Sequence, residues 1–425
     1  MRRLPMPVPT KRERAAVHVH ALVMAATLGG CGGAAPEASA DGSGSTSPAV
    51  SEATGDTPTT GGSSSDGTSP DGTSSGASDG DTTGGPTDCA AVQAALQDVA
   101  DAYVEAGVVG LVLAARTPQC PPIEVVAGVA ELASEAPLTV DHRLRIGSVT
   151  KTVTAALLLR LQEDGLVDLD APLSDYVDTP VPNADAISVR QLLNHTSGIA
   201  NYLNTPGFFD IADGERVWAP AELVQLGVDL GPVFEPGEGW EYSNTNYILA
   251  GLIAEAVTGK TFGQAVRATI LEPAGLDESY FAGEETVEGE LAHGYIPGED
   301  LTWSHHPSAA WAAGAMVMTV GDLAAWTDAL YRGPLLSDAS REQMLDVVAA
   351  GNPEVPYYGL GLEMPALDVG AVVGHGGLFP GYTTAMGLRL DSDDVVVAIS
   401  NTFGYFYQWD AVKYGLLALD DARSN

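Results

Sequence analysis

The sequence predicts an α/β chain of the α+β type. An antiparallel sheet is built from the N- and C-terminal segments of the folded region and flanked by helices, with a mainly helical insert beside it. Two observations carry this. Strand-like runs cluster at the two ends, "VVGLVLAAR" (108–116) and "IEVVAGVAEL" (123–132) early, then "AVVGH" (371–375), "YTTAMGLRL" (382–390) and "VVVAISNTF" (395–403) late. The middle instead shows apolar residues at helical spacing over 149–164, 188–194, 220–228, 246–258, 262–271 and 320–331. A cleft is expected where the sheet meets the insert.

The first 88 residues do not read as folded protein. A basic stretch through Arg14 precedes the apolar run "AAVHVHALVMAATLGG" and then Cys31, the charged, apolar and small-residue order of an export signal over 1–30. "LGGC" at 28–31 resembles a bacterial lipobox, which implies lipidation of Cys31 and a lipid-anchored place in the cell envelope, periplasmic or surface-exposed. The apolar run is short of the roughly 20 residues that a membrane-spanning helix needs. Residues 31–88 are Gly, Ser, Thr, Asp and Pro with almost no large apolar side chain, so they read as a linker that cannot offset the entropy of ordering. Such a coil has a root-mean-square span of about 40 Å. Within it "GTSSG" (72–76) formally matches a nucleophile elbow, but no strand precedes it and no helix follows, so the match is chance.

A domain is expected over 89–425. It opens on a helix, "CAAVQAALQDVADAYVEAG", ended by Gly107, and the first two strands are joined by a turn holding Cys120, Pro121 and Pro122. Only three cysteines exist, and in an oxidising envelope Cys89 and Cys120 are expected to pair, pinning the opening helix to that hairpin. An amphipathic helix near 406–419 closes the chain. No internal repeat is present.

Charge narrows the partners. Nineteen basic against 56 acidic residues give a formal charge of −37, which excludes nucleic acid as a natural ligand and repels anionic lipid. An anionic substrate must be drawn in by local groups. No C-x-x-C spacing exists and the tandem His305 and His306 lack an i, i+4 arrangement, so no metal is expected, nor any cofactor. A monomer is expected.

One of only four lysines, Lys151, lies three residues after Ser148 in "RLRIGSVTKT", at the start of the helix over 149–164. Ser148 reads as its capping residue, and the pair falls on one face of the first turn. A serine hydroxyl becomes a nucleophile when a base takes its proton, and a lysine does so if burial and the helix dipole lower its pKa. Two later stretches give the pair company: Tyr242, Ser243 and Asn244 in "EYSNTNYILAGL", and His375, Gly376 and Gly377 in "VVGHGGLFPGY".

In that order the three pieces resemble the S-x-x-K, Y-x-N and [KH]-[TSG]-G motifs of the serine β-lactamase and penicillin-binding protein superfamily. The branch they match holds class C β-lactamases, D-alanyl-D-alanine carboxypeptidases and related esterases, and the likeness extends over roughly 95–420. The resemblance implies a β-lactamase/transpeptidase-like fold and an acyl-enzyme mechanism on an amide or ester. Ser148 is the implied nucleophile, with Lys151 and Tyr242 sharing its proton; a partly ionised Tyr242 is the implied general base, and which of the two takes the first proton is left open by the sequence. Asn244 is implied to donate to the substrate amide and orient Lys151. The oxyanion hole is implied to use the N–H groups of Ser148 and Leu378, with Gly376 and Gly377 letting the strand edge approach substrate.

His375 and Gly376 stand where many relatives carry lysine and a hydroxyl residue. A histidine there is expected to bind a substrate carboxylate only while protonated, so carboxylate substrates should lose efficiency from about pH 5.5 to 8. His195 in "NHTSG" is expected to hold a loop near the cleft. The expected ligand is a small peptide, ester or β-lactam, with carboxypeptidase-like activity ranked above esterase or β-lactamase activity. The rival from another class is a non-catalytic cell-wall or penicillin-binding sensor module of the same fold.

Overall fold

The computed structural model describes residues 87–424. The expected signal segment, linker and Cys31 lie outside them. The chain begins with α1 (Cys89–Glu105), followed by β1 (Gly110–Thr117), β2 (Cys120–Glu131), β3 (Ala136–Pro137), β4 (Leu144–Arg145) and α2 (Thr150–Glu163). The insert carries α3 (Val189–Leu193), α4 (Pro220–Asp229), α5 (Asn244–Thr258) and α6 (Phe262–Val266), with the short strands β5 (Tyr280–Phe281), β6 (Tyr295–Ile296), β7 (Glu299–Asp300) and β8 (Met316–Met318). After α7 (Val320–Tyr331) and α8 (Asp338–Leu345) come β9 (Val348–Ala349), β10 (Tyr357–Tyr358) and β11 (Glu363–Met364). Then β12 (Val372–Phe379), β13 (Tyr382–Arg389), β14 (Asp394–Ser400) and α9 (Asp410–Ser424) complete the fold.

The two ends of the chain join as the sequence predicts. Strand β1 pairs antiparallel with β14, Leu111 opposite Ser400 and Ala115 opposite Val396. The resulting nine-stranded sheet runs β3-β2-β1-β14-β13-β12-β11-β10-β9. Both of its faces are covered, which explains why these strands read as continuous apolar runs rather than alternating ones. Leu111, Leu113 and Ala115 of β1, with Val396 and Ala398 of β14, pack against α1 and α9. Val112 and Ala114, with Val395, Val397 and Ile399, face the larger core formed with α2, α5 and α7. Among the described residues no helix is long and apolar enough to cross a membrane.

Three differences from the sequence reading have physical causes. The final helix starts at Asp410 rather than near 406 and runs to Ser424, because the aromatic Tyr405, Phe406 and Tyr407 pack against the outer core as a loop. The strand that carries His375 continues to Phe379, since its glycines leave no apolar signal but keep full pairing with β13. Strands of two or three residues, β8 among them, are too short for any periodicity to reveal.

A disulfide joins Cys89 at the start of α1 to Cys120 at the start of β2, with Cα atoms 5.6 Å apart. It closes a loop of 31 positions. Replacing both cysteines by serine should lower unfolding free energy by roughly 3 kcal/mol in denaturant titrations, and reductant should produce the same loss in the unaltered protein.

Candidate active site

The serine lies in a tight 3₁₀ turn, Gly147–Val149, that feeds α2. It does not cap the helix as the sequence reading expected: Val149 occupies the N-cap position and no side chain bonds the first turn. Its hydroxyl is therefore free to face the side chains around it. Gly147 has φ +53°, and a β-carbon built on it would fall 2.5–2.7 Å from the main-chain atoms of Leu378. Only glycine allows that approach. The contact sets the main chain of Leu378 in β12 against the turn that presents Ser148.

Lys151, in the first turn of α2, is fully buried, and its Nζ has three oxygen neighbours. They are the Ala313 carbonyl at 2.7 Å, Asn244 Oδ1 at 2.7 Å and Ser148 Oγ at 3.1 Å. Burial holds the amine well below its usual pKa, against a partial opposing pull from Glu363. A neutral amine has two N–H groups and one lone pair. The carbonyl and the amide oxygen can only accept, so they take both N–H groups. The lone pair is left for the Ser148 O–H, which is the arrangement of a base about to receive a proton.

Tyr242 stands on the other side of the serine, in the segment before α5, and its phenol hydrogen-bonds the Ser148 side chain. Its ring lies 4.9 Å from Lys151 Nζ. Burial pushes the phenol well above its usual range, and Glu363 adds to the rise. Tyr242 is half-buried, and the direction of its shift favours a protonated phenol over the partly ionised one expected.

Asn244 is the first residue of α5. With its Oδ1 on Lys151, its Nδ2 donates one N–H to Asn201 Oδ1 at 3.3 Å, so this amide orients the lysine as expected and has a second N–H beyond that bond. Asn201 also accepts the Asn244 main-chain N–H, at 3.3 Å. Sequence reasoning missed Asn201, although it sits in the "NHTSGIAN" segment next to a histidine already singled out. His195 does hold loops together: its Nδ1 accepts the Ser243 N–H at 3.2 Å and its carbonyl accepts the Glu241 N–H at 3.1 Å. Its ring packs against Tyr242, centroids 4.4 Å apart.

The third motif departs most from expectation. His375 is fully buried, its Nε2 2.9 Å from the Tyr358 hydroxyl and its Nδ1 on the Gly376 carbonyl. Burial, and then the nearby Lys151, depress its pKa to about 3. A ring so held is neutral throughout the physiological range and carries no charge to a substrate carboxylate, which removes the expected fall in carboxylate efficiency between pH 5.5 and 8. The neighbouring glycines also serve protein contacts. A β-carbon on Gly377 would lie 2.0 Å from the Ile146 carbonyl oxygen, and one on Gly376 would lie 2.2 Å from the Gln408 amide nitrogen. They let the serine turn and the residues before α9 close on β12 from opposite faces.

Behind His375 lies a buried acid that no motif flagged, Glu363 of β11. Its Oε2 accepts the Trp409 indole N–H at 2.9 Å and the Gly376 main-chain N–H at 3.2 Å, and its Oε1 is 3.7 Å from His375 Nδ1. Burial pushes its pKa up to about 7 against those hydrogen bonds and Lys151. The only sequence signal was an isolated acid in the apolar run "YGLGLEM".

A sheet closed by both ends of the chain, with a serine, a buried lysine and a tyrosine at its edge, defines a class, and the comparisons agree with it. The Beta-lactamase family profile matches residues 92–416, and the chain belongs to that family. Penicillin-binding protein 4* of Bacillus subtilis (strain 168) is 28% identical over 294 residues, 64% of each chain. The D-aminopeptidase of Brucella anthropi is 30% identical over 281 residues, 60% of this chain and 49% of that one. The chain spans about half to two thirds of the length of the curated relatives it matches. Among solved structures, D-amino acid amidase from Ochrobactrum anthropi SV3 superposes with a TM-score of 0.73 at 31% identity, covering 78% of this chain and 99% of that one. A D-stereospecific amidohydrolase from Streptomyces sp. gives 0.68 at 33% identity, with 75% and 97% covered.

The state of His375 has a measurable consequence. Between about pH 6.5 and 3 the unfolded chain binds a proton at this ring that the native chain refuses, so the ring's contribution to stability is complete above 6.5 and is lost as pH falls through that window. The His375 ring resonances should stay fixed from pH 8 down to at least 5, and the His375→Gln variant should show a shallower acid loss of unfolding free energy. A ring that titrates near 6.5 in the folded protein contradicts this placement.

Proposed function

We propose that the protein is a serine hydrolase that cleaves an amide or ester through an acyl-enzyme on Ser148. The observation that carries this is the approach of Lys151 Nζ to Ser148 Oγ, 3.1 Å, with the amine's two N–H groups committed elsewhere. As the Ser148 oxygen attacks the carbonyl carbon, its proton passes to the Lys151 lone pair. The carbonyl electron pair moves onto the oxygen, where the main-chain N–H groups of Ser148 and Leu378 receive the negative charge. Collapse restores the carbonyl and breaks the bond to the leaving group, which takes its proton from the Lys151–Tyr242 pair. Tyr242, protonated and bonded to the serine, is suited to pass that proton outward. Water then repeats the sequence against the acyl-enzyme, again with Lys151 as base, and frees Ser148.

For substrate we propose an amide of a D-amino acid, D-alanyl peptides of the carboxypeptidase type included. Support comes from the relatives, a D-aminopeptidase, a D-amino acid amidase, a D-stereospecific amidohydrolase and penicillin-binding proteins. His375, being neutral and buried, lends no support to a substrate held by its terminal carboxylate. A small ester is the second reading, favoured by a 30% identity over 171 residues with esterase EstB of Burkholderia gladioli. We also propose that the chain is exported and anchored through lipid on Cys31, supported by the residue order of 1–31.

Three outcomes are expected. A fluorescent fluorophosphonate should label the protein, and both Ser148→Ala and Lys151→Met should abolish labelling without changing the thermal melt; labelling that persists in Ser148→Ala overturns the mechanism. D-phenylalanine amide should be hydrolysed at least tenfold faster than its L enantiomer, as read by ammonia release, and equal rates would return the substrate to the ester class. On expression in bacteria the unaltered chain should enter the detergent phase of a Triton X-114 separation and Cys31→Ser the aqueous phase.

A further inference from the structure

A cavity of about 680 Å³ lies outside the catalytic cluster, and neither Ser148, Lys151 nor Tyr242 lines it. Its volume is that of a site for a small organic molecule. Arg145 of β4, Val317 of β8 and Ala282 just after β5 form one wall, Ala130 and Glu131 of β2 with Ala136 of β3 form another, and loop residues complete the lining. Four of the chain's eight histidines border it: His142, His293, His305 and His306. Among the described residues no group of three or more His, Cys, Asp or Glu is arranged to hold a metal ion, so the histidines are not a metal site there.

The charges are distributed unevenly. The bordering acids already have partners: Glu131 Oε1 is 3.7 Å from His293 Nε2, and the exposed Glu290 has its Oε2 3.6 Å from His142 Nε2. Arg145 does not. It is 4% exposed, its guanidinium carbon lies 4.8 Å from the centre of the Phe379 ring, and no carboxylate among the described residues comes within 4.0 Å of it. Its Nε and Nη1 are buried with no hydrogen-bond partner among the described residues. Unmatched donors on a permanent cation are costly to bury, and a negatively charged acceptor is the partner that offsets the cost. His306 adds to the same sign: its Nδ1 accepts the Ser308 N–H at 3.2 Å, so in the neutral ring Nε2 carries the proton and is a donor. The remaining lining is largely apolar, Val287 and Leu291 included, and Trp303, 67% exposed, stands at the mouth.

We propose that this cavity is a second ligand site, separate from the Ser148 cleft, that takes a carboxylate carried on a small apolar body, with Arg145 as its anchor. In a chain of net charge −37 a buried cation beside an apolar wall is what selects such an anion from water. The proposal does not depend on the hydrolase reading.

Benzoate and its uncharged analogue benzamide, titrated calorimetrically into the full chain carrying Ser148→Ala, test it. Benzoate should bind at least tenfold more tightly than benzamide, and adding Arg145→Gln should erase that preference. Should Arg145→Gln fail to fold, Val287→Trp, which fills the cavity from its wall without touching Arg145, should abolish benzoate binding on its own. Equal affinities for the two probes, a preference kept by folded Arg145→Gln, or undiminished binding by Val287→Trp would each overturn the site. So would protection of Ser148 from the fluorophosphonate by benzoate in the unaltered enzyme, because it would place the ligand in the cleft.

Discussion

The geometry of the site depends on one constraint, the removal of Lys151 from water. An ammonium at that depth, facing a serine hydroxyl, an amide oxygen and a carbonyl, would need compensation by a negative charge close at hand, and the nearest acid, Glu363, stands behind His375 and is itself biased toward its neutral form. The neutral amine satisfies every neighbour without that compensation. The Ala313 carbonyl matters here as much as any catalytic group, since it fixes one N–H and with Asn244 leaves the lone pair a single direction to face. Partial burial acts oppositely on the half-buried tyrosine, raising its pKa and favouring the protonated phenol. Two groups that titrate at similar pH in water are driven apart in role by one environment.

Bringing these groups together requires contacts that are remote in sequence. Ser148 and Lys151 arrive on one helix start, Asn244 on another 93 positions later than the lysine, and Ala313 162 positions later. The sheet makes the remaining connection: β12, which lies against the serine turn, is linked to β1 through β13 and β14. Glycine at 147 and 377 then removes the atoms that would hold the turn and the strand apart.

Much of this was legible in the residues. The long strands and helices announced themselves by periodicity, and the pairing of the chain's ends followed from where the strands fell. Ser148, Lys151, Tyr242 and Asn244 were found because their motifs lie in short contiguous stretches. What sequence could not supply was depth. The reading of His375 assumed an imidazole in contact with water, and that of Tyr242 a phenol whose ionisation a charged lysine would assist; the complete burial of His375 and Lys151, set by distant elements, undercuts both. Glu363 and Asn201 were invisible for the same reason, since neither lies in a recognisable pattern and each acts only through partners brought close by folding. The glycines were noticed, yet their purpose was misassigned to substrate when their neighbours are the Ile146 carbonyl and the Gln408 amide.

The bond from the Gly376 N–H to Glu363 has a mechanical consequence. Strand β12 touches the serine turn on one face and is tethered to a buried acid through its own main chain, so nucleophile, oxyanion strand and acid form a single rigid joint. Replacing that acid should therefore disturb the strand that faces the nucleophile even though the acid itself does not touch the serine.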